Sequence, residues 1–284
     1  MNNNNIEENV RKFPRAVGRR RNFLEKRFDK ANLSVLEIGA MDMPTFYPDE
    51  VSIEFLDYYT NEEFASLSAA GKLSRPLESL MPVEIVAKEK YFSSATHKKY
   101  DLIIANHVIE HVPDLISWLR ELQNLLKVDG WIFLAIPDKR YTFDYNRAVT
   151  SVVEIYRRYV EDAKSPDIYT IADYFYLQRD VRIDDFWKSN TVELENKLSK
   201  STYTFSEALK RAKVSVNGFE SHVNIHCNVF SAPTFKETWS AIDSIAPITG
   251  MTLKLKELVD VMTDANEFWV LLQLPKQLNE REIL

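Results

Sequence analysis

The stretch from Tyr100 to Arg147 limits the possible folds more than any other part of the chain. Asp101-Leu-Ile-Ile-Ala105 is a short apolar run behind one acid, as in a strand buried on both faces of a parallel sheet. Pro113 is placed to open a helix, where its missing N–H is not needed. Leu115, Trp118, Leu119, Leu122, Leu125 and Leu126 then share one helical face. Lys127 suits the last turn, and Gly130 is the expected left-handed residue that stops the helix. Trp131–Ile136 reads as a second buried strand. Strand, helix and strand in succession predict an α/β fold built on a parallel sheet. Both strands end in polar clusters, Asn106-His107 and Asp138-Lys139-Arg140. In such sheets ligands bind beyond the carboxyl ends of the strands, so these tips are the first place to expect a site.

The remaining composition excludes several classes. A net charge of −6 argues against bulk nucleic-acid binding. One cysteine, Cys227, leaves no intramolecular disulfide and no cysteine-cluster zinc site. No apolar run approaches the ~20 residues of a membrane span. The first residues, MNNNNIEENV, lack the apolar core of a signal peptide, so a cytoplasmic protein without a transmembrane segment is expected. Residues 1–284 are read as a single domain.

Earlier in the chain, Ser34–Gly39 is a strand ending in glycine and Val51–Asp57 a strand ending in an acid. Glycine at a first strand–helix turn lets the backbone approach a ligand, and an acid ~20 residues on can accept both hydroxyls of a ribose. Together LEIGA with Asp57, YDLIIANHVIEHVPD and LLKVDGWIFLAIPD resemble the class I S-adenosylmethionine-dependent methyltransferases. The resemblance spans roughly Val35 to Arg147. LEIGAMDMP, NHVIEHVPDLISWL and IPDKRYTFDYNR are similar to a branch found with bacterial glycosyltransferases and surface-polysaccharide synthesis.

The resemblance implies a doubly wound, mostly parallel seven-stranded sheet with an antiparallel last strand, and S-adenosylmethionine as cofactor. It implies Glu37, Gly39, Ala40, Asp57, Asn106 and His107 as cofactor-binding residues. Glu89 is the nearest acid for an adenine amino group. The family loop has the form acid-x-Gly-x-Gly-x-Gly; here Met41 and Met43 replace the second and third glycines, and Pro44 follows. That departure implies a different loop path. It also keeps alive a degenerate scaffold that regulates a partner glycosyltransferase.

Outside this core, Arg11–Lys30 is dense in basic residues around Phe13, Val17, Leu24 and Phe28. It reads as an N-terminal basic helix over 11–30, either solvated or forming a patch for an anionic substrate or membrane. Residues 148–220 break the sheet pattern with mixed aromatic and charged residues. They are expected to form a helical insertion, a lid over the site or a satellite with its own small core. From His222 to Phe230, alternation predicts a half-buried strand whose polar face carries His222, Asn224, His226 and Asn228. Thr234 with Glu237 predicts a capping box. Two last strands are expected near Leu253–Met262 and Glu267–Leu274.

The favoured chemistry is O-methylation of a sugar, nucleotide-sugar or glycan. A hydroxyl acceptor calls for a base near neutral pH. His111 is the expected base, with His107, Asp138 and Asp144 as further catalytic candidates and Glu110 or Asp144 orienting the ring. Arg140, Arg147, His222 and His226 are expected to meet substrate. His107-Val-Ile-Glu110-His111 also matches the H-x-x-E-H signature of a zinc peptidase, which needs both histidines on one helical face. Some small-RNA ribose methyltransferases hold a metal with Glu-x-x-Glu-His and a later histidine. The likeness here is partial, would need His222 or His226, and the expectation is of no metal.

Overall fold

A computed structural model of the chain describes residues 13–88, 92–217 and 224–276. Its strands are β1 (Ser34–Ile38), β2 (Ser52–Asp57), β3 (Ile85–Val86), β4 (Tyr100–Asn106), β5 (Leu126–Pro137), β6 (Lys254–Val259) and β7 (Glu267–Gln273). They form one sheet in the order β3-β2-β1-β4-β5-β7-β6. Every pairing is parallel except those of β7, which runs against both β5 and β6. This is the seven-stranded, mostly parallel sheet expected from the sequence.

Period-two alternation separates the two faces of the sheet. Leu36, Ile103, Ile132, Leu134 and Val270 join the core formed with α3 (Leu115–Leu125), α4 (Val152–Val160) and α9 (Ala232–Ser244). Val35, Leu102, Ile104, Phe133 and Trp269 face the other way, against Leu24 of α1 (Arg15–Glu25) and against Phe46. Each such fully buried side chain contributes roughly 1.5–3 kcal/mol. The helices α2 (Asn61–Ala69), α5 (Ile168–Leu177), α6 (Ile183–Lys188), α7 (Thr191–Ser199), α8 (Phe205–Asn217) and α10 (Ala246–Thr249) complete the chain. No helix among the described residues is long and apolar enough to cross a membrane.

Several local expectations are corrected. Helix α3 starts at Leu115, capped by Asp114, whose Oδ1 accepts the Ser117 N–H at 3.0 Å; Pro113 lies outside it. The helix gives way to β5 at Leu126, so Gly130 does not stop it. The left-handed residue is Asp129, with φ 61°. Gly130 answers to crowding instead: a Cβ there would lie 2.8 Å from the Lys127 carbonyl oxygen and 3.1 Å from that of Tyr100. Lys127 bonds Asp101.

The basic N-terminal run forms α1, with Arg15, Lys26 and Arg27 exposed and two of its charges turned inward. Arg20 and Arg21 are buried. Arg20 donates to Glu267, while Arg21 donates to the Thr45 carbonyl and to Glu50. Arg15, Arg19 and Arg27 reach Asp264, the Thr263 carbonyl and Glu257. The run clamps α1 onto the sheet because its positive charges find acids there.

The segment 224–230 is extended but joins no sheet; its one bridge is Phe230 to Asp138. Its polar residues His226 and Asn228 are buried, as are Ile225, Cys227 and Val229. The polar side turns inward because the turn after β4 supplies its partners. The Asn228 amide donates to the Ile109 and Val112 carbonyls, and its backbone N–H to that of Glu110. Helix α9 starts at Ala232 with Ser231 as its N-cap, three residues before the expected cap Thr234; Thr234 bonds Ser231 instead. In the 148–220 region, Ile171, Ala172 and Ala212 make a small core with Ile225 and Cys227.

Candidate active site

The tips of β1, β2 and β4 lie side by side, and their residues build one half of the site. Gly39 takes φ 66°, a left-handed conformation that glycine adopts without strain. Its N–H donates to the Leu56 carbonyl, and a Cβ there would press on Val108 at 3.3 Å. Met41, at the second glycine position, keeps a left-handed backbone with φ 48°. A bond from the Met81 N–H to the Met41 carbonyl holds that turn.

Glu37 is fully buried. Its carboxylate accepts the Thr45 N–H at 2.8 Å, the Thr45 hydroxyl at 2.8 Å and the Asn106 amide at 2.9 Å. Burial pushes the Glu37 carboxyl up to about 7, against the pull of these donors and of the Arg20 charge. Asn106 has its Oδ1 buried without a hydrogen-bond partner. Asp57 ends β2 and lines a narrow cleft with Ala40, Met41, Phe64 and Leu80. Burial raises its carboxyl pKa, opposed by the N–H groups of Tyr59 and Tyr58.

Beyond β4 the chain turns at His107, a non-glycine residue with φ 55°. A three-residue 3-10 turn, Ile109–His111, follows. The helix that an H-x-x-E-H peptidase requires is therefore not formed. The His107 ring bonds Glu267 through Nε2 at 2.6 Å. Glu267 also accepts from Arg20 and from the Trp269 indole at 2.8 Å. Burial alone would raise the Glu267 pKa, but Arg20 and His107 hold it far below the carboxylate range. For His107 burial opposes charge, yet the bond to Glu267 and the charges of Glu110 and Glu267 raise its pKa. Both acids thus favour the charged form of the His107 ring.

The other half of the site gathers Glu110, His111, His226 and Asp144. His111 Nδ1 donates to the Ile225 carbonyl at 3.0 Å, and His226 Nδ1 to Asp144 at 2.5 Å. A carbonyl and a carboxylate only accept, so both rings carry their proton on Nδ1, which leaves the lone pair of a neutral ring on Nε2. Those Nε2 atoms lie 3.8 and 4.0 Å from Glu110 Oε1. The rings meet edge to face, with centroids 4.9 Å apart. Burial alone would raise the Asp144 pKa; the neighbouring His226 and Arg147 lower it instead. Burial raises that of Glu110.

The remaining expected site residues lie differently. Arg147 is buried and bonds Asp144 and Asp173. Asp138 is fully buried, with its oxygens taken by Arg140 and by the Ala232 N–H at the start of α9. Arg140 is shared between Asp138 and Asp260. His222 and Glu89 fall outside the described residues. Burial pushes the Cys227 thiol up to about 12, which leaves it inert. Thr45, Asn228 and Glu267 were not anticipated. Glu267 had a signal, being the one acid at the head of the apolar run Phe268–Leu272.

No curated protein matches the chain. Among solved structures, an S-adenosylmethionine-dependent methyltransferase from Aquifex aeolicus is 11% identical, covers 89% of both chains and has a TM-score of 0.40. The CurJ carbon methyltransferase is 15% identical over 89% of this chain and 51% of its own, with a TM-score of 0.38. The glycopeptide N-methyltransferase MtfA, solved with S-adenosylmethionine, is 13% identical over 42% of this chain, with a TM-score of 0.31. This chain spans 54% of the length of that enzyme. A model of the methyltransferase domain family matches residues 8–243, which is most of the chain and includes the tips of β1, β2 and β4 and the Glu110, His111, Asp144 and His226 group. The protein belongs to the methyltransferase domain family.

Proposed function

We propose that the chain transfers a methyl group from S-adenosylmethionine to a hydroxyl of a sugar, nucleotide-sugar or glycan. The observation that carries this reading is the set of acceptors at adjoining strand tips. Asn106 Oδ1 is buried and unsatisfied, the Glu37 carboxylate shares the Asn106 amide, and Asp57 ends the neighbouring strand. An ammonium and a ribose diol are the donors such a set fits. Gly39 leaves room for close backbone approach. Met41 retains the left-handed turn, which favours a working loop over a degenerate scaffold.

When bound, the cofactor supplies a methyl group on a sulfonium. The chain's task is to hold the acceptor oxygen in line, roughly 3–3.5 Å from that carbon. As the oxygen lone pair forms the new C–O bond, the C–S electron pair stays on sulfur and the hydroxyl proton leaves. The cluster of Glu110, His111 and His226 receives that proton in this reading, worth ~10²–10⁴ in rate. Asp138, Arg140 and Arg147 are scaffold here, because their charges are already spent. Helices α4–α8 act as the cover that selects the acceptor, with Tyr141 stacked on Trp187 beside it. The partner glycosyltransferase follows from the branch resemblance alone and is not needed for the chemistry.

The test is calorimetry with S-adenosylmethionine, followed by labelled-methyl transfer to nucleotide-sugars, glycans, amines and activated carbon acids. Asp57→Ala is expected to weaken cofactor binding by about 2–4 kcal/mol through lost charged hydrogen bonds. Absence of cofactor binding would end the reading, and label found only on nitrogen or carbon would end its acceptor class.

A further inference from the structure

Glu110 is 1% exposed, and neither of its carboxylate oxygens has a hydrogen-bond partner. A buried carboxylate without hydrogen bonds is costly, and buried charged groups are normally hydrogen-bonded or coordinate metals. Around it stand two imidazoles whose orientation is already set. His226 is fixed through Nδ1 by Asp144, and His111 through Nδ1 by the Ile225 carbonyl. Each ring then turns Nε2 toward Glu110. The ligand atoms of Glu110, His111 and His226 all lie within 4.8 Å of one another.

We propose that Glu110, His111 and His226 form a site for a divalent transition-metal ion of the zinc class. Two imidazole nitrogens and one carboxylate are a donor set for zinc and its first-row neighbours rather than for magnesium or calcium. Histidine ligands are typically oriented by a carboxylate or a backbone carbonyl on the opposite ring nitrogen, and both devices are present. Zinc bonds of 2.0–2.1 Å in a tetrahedron place ligand atoms about 3.3 Å apart, so the ion would draw these three inward by roughly 1 Å or less each. His107 is excluded from the set although its Nδ1 lies 3.5 Å from Glu110 Oε1, because that ring is committed to Glu267. Asn228 fixes the turn that presents Glu110 and His111.

Ion binding stands without the methyl-transfer reading. One consequence does rest on that reading: His111 then serves as a ligand, and the ion's remaining position faces the acceptor hydroxyl and eases its deprotonation.

The test uses the full chain, stripped by chelator and titrated with zinc chloride alone in a calorimeter. One equivalent is expected to bind wild type. Glu110→Gln and His226→Ala should weaken binding by at least about 100-fold, and Asp144→Asn by about 10- to 100-fold. His97→Ala, on an exposed loop, should bind like wild type. Circular dichroism of each variant guards against misfolding, and X-ray absorption should report nitrogen and oxygen neighbours only. No uptake by wild type, equal uptake by folded Glu110→Gln and His226→Ala, or binding of magnesium in place of zinc would each overturn the proposal. Because this titration holds neither cofactor nor acceptor, its failure leaves methyl transfer standing. Conversely, zinc uptake without any methyl transfer would refute only the function proposed above.

Discussion

Glu37 and Glu110 both sit at the carboxyl end of the parallel strands. Both are buried, and burial raises the pKa of both. Their surroundings differ in one respect. Glu37 accepts from the Thr45 N–H, the Thr45 hydroxyl and the Asn106 amide. Neither carboxylate oxygen of Glu110 has a hydrogen-bond partner, although three imidazoles stand within 4.0 Å of one of them. The protein has solved the first carboxylate internally and left the second open. A closed carboxylate is scaffold for a ligand that binds nearby; an open one is positioned to be a ligand itself.

A third buried acid gives the comparison its scale. Glu267 is held by Arg20, His107 and Trp269, a complete set of donors with two cations among them. Glu267→Ala should be the most damaging of the three substitutions. It leaves the Arg20 guanidinium buried and unpaired, at a cost of about 3–5 kcal/mol. Urea unfolding measures this directly. A loss below about 1 kcal/mol would mean that Arg20 finds water or another acid, and that α1 is held by packing alone.

Glu37 carries a pH dependence whose sign follows from its position. Below its ordinary pKa of 4.5 it is protonated in folded and unfolded chains alike. Between 4.5 and about 7 the unfolded chain releases the proton while the folded chain keeps it. Folding stability therefore falls as pH rises through that window, by about 3 kcal/mol in all. Glu37→Gln removes this slope. Without cofactor, the stability of the variant relative to wild type should improve by about that amount from pH 4 to pH 8. Parallel pH profiles for the two proteins would show that the Thr45 and Asn106 donors already offset burial, which would make Glu37 more closed still.

The two regions also differed in how far they could be read from sequence. The sheet was legible because buried parallel strands are continuous apolar runs, and Asp101–Ala105, Trp131–Ile136 and Phe268–Leu272 stand out as such. Gly39 and Asp57 were legible because a backbone turn and a strand-end acid have fixed spacing. The second region was harder. His226 and Asn228 looked like the wet face of a strand, since alternation reports two faces but not what covers each. Here a turn more than 110 residues earlier supplies the partners of Asn228, and Asp144, 82 residues earlier, that of His226. Arg140, Arg147 and Asp138 looked available because sequence shows charge and not pairing; Asp138 is consumed by Arg140 two residues on, and the two arginines also reach Asp260 and Asp173, which no local pattern links to them. The basic run in α1 misled for the same reason, its acids lying mostly some 230 to 250 residues away.

The smallest effect is expected at Glu110, and its smallness is what separates the two regions. Removing a buried group that holds hydrogen bonds strands its partners, at about 1–3 kcal/mol for each. Glu110 has no such partner to strand. Glu110→Gln keeps the side-chain volume, so no cavity opens, and it replaces a charge that burial disfavours with a neutral amide. In chelator-stripped protein at pH 8 the variant should therefore unfold within about 1 kcal/mol of wild type, or be more stable. Adding zinc should then favour wild type, because it gains more binding free energy than the weaker-binding variant. Thermal melts of the two proteins, each with and without zinc, give four numbers that decide the matter. A loss of more than about 2 kcal/mol in the stripped variant would mean that Glu110 is as closed as Glu37, with a histidine as its partner. The distinction between scaffold and ligand carboxylates would then fail at this site.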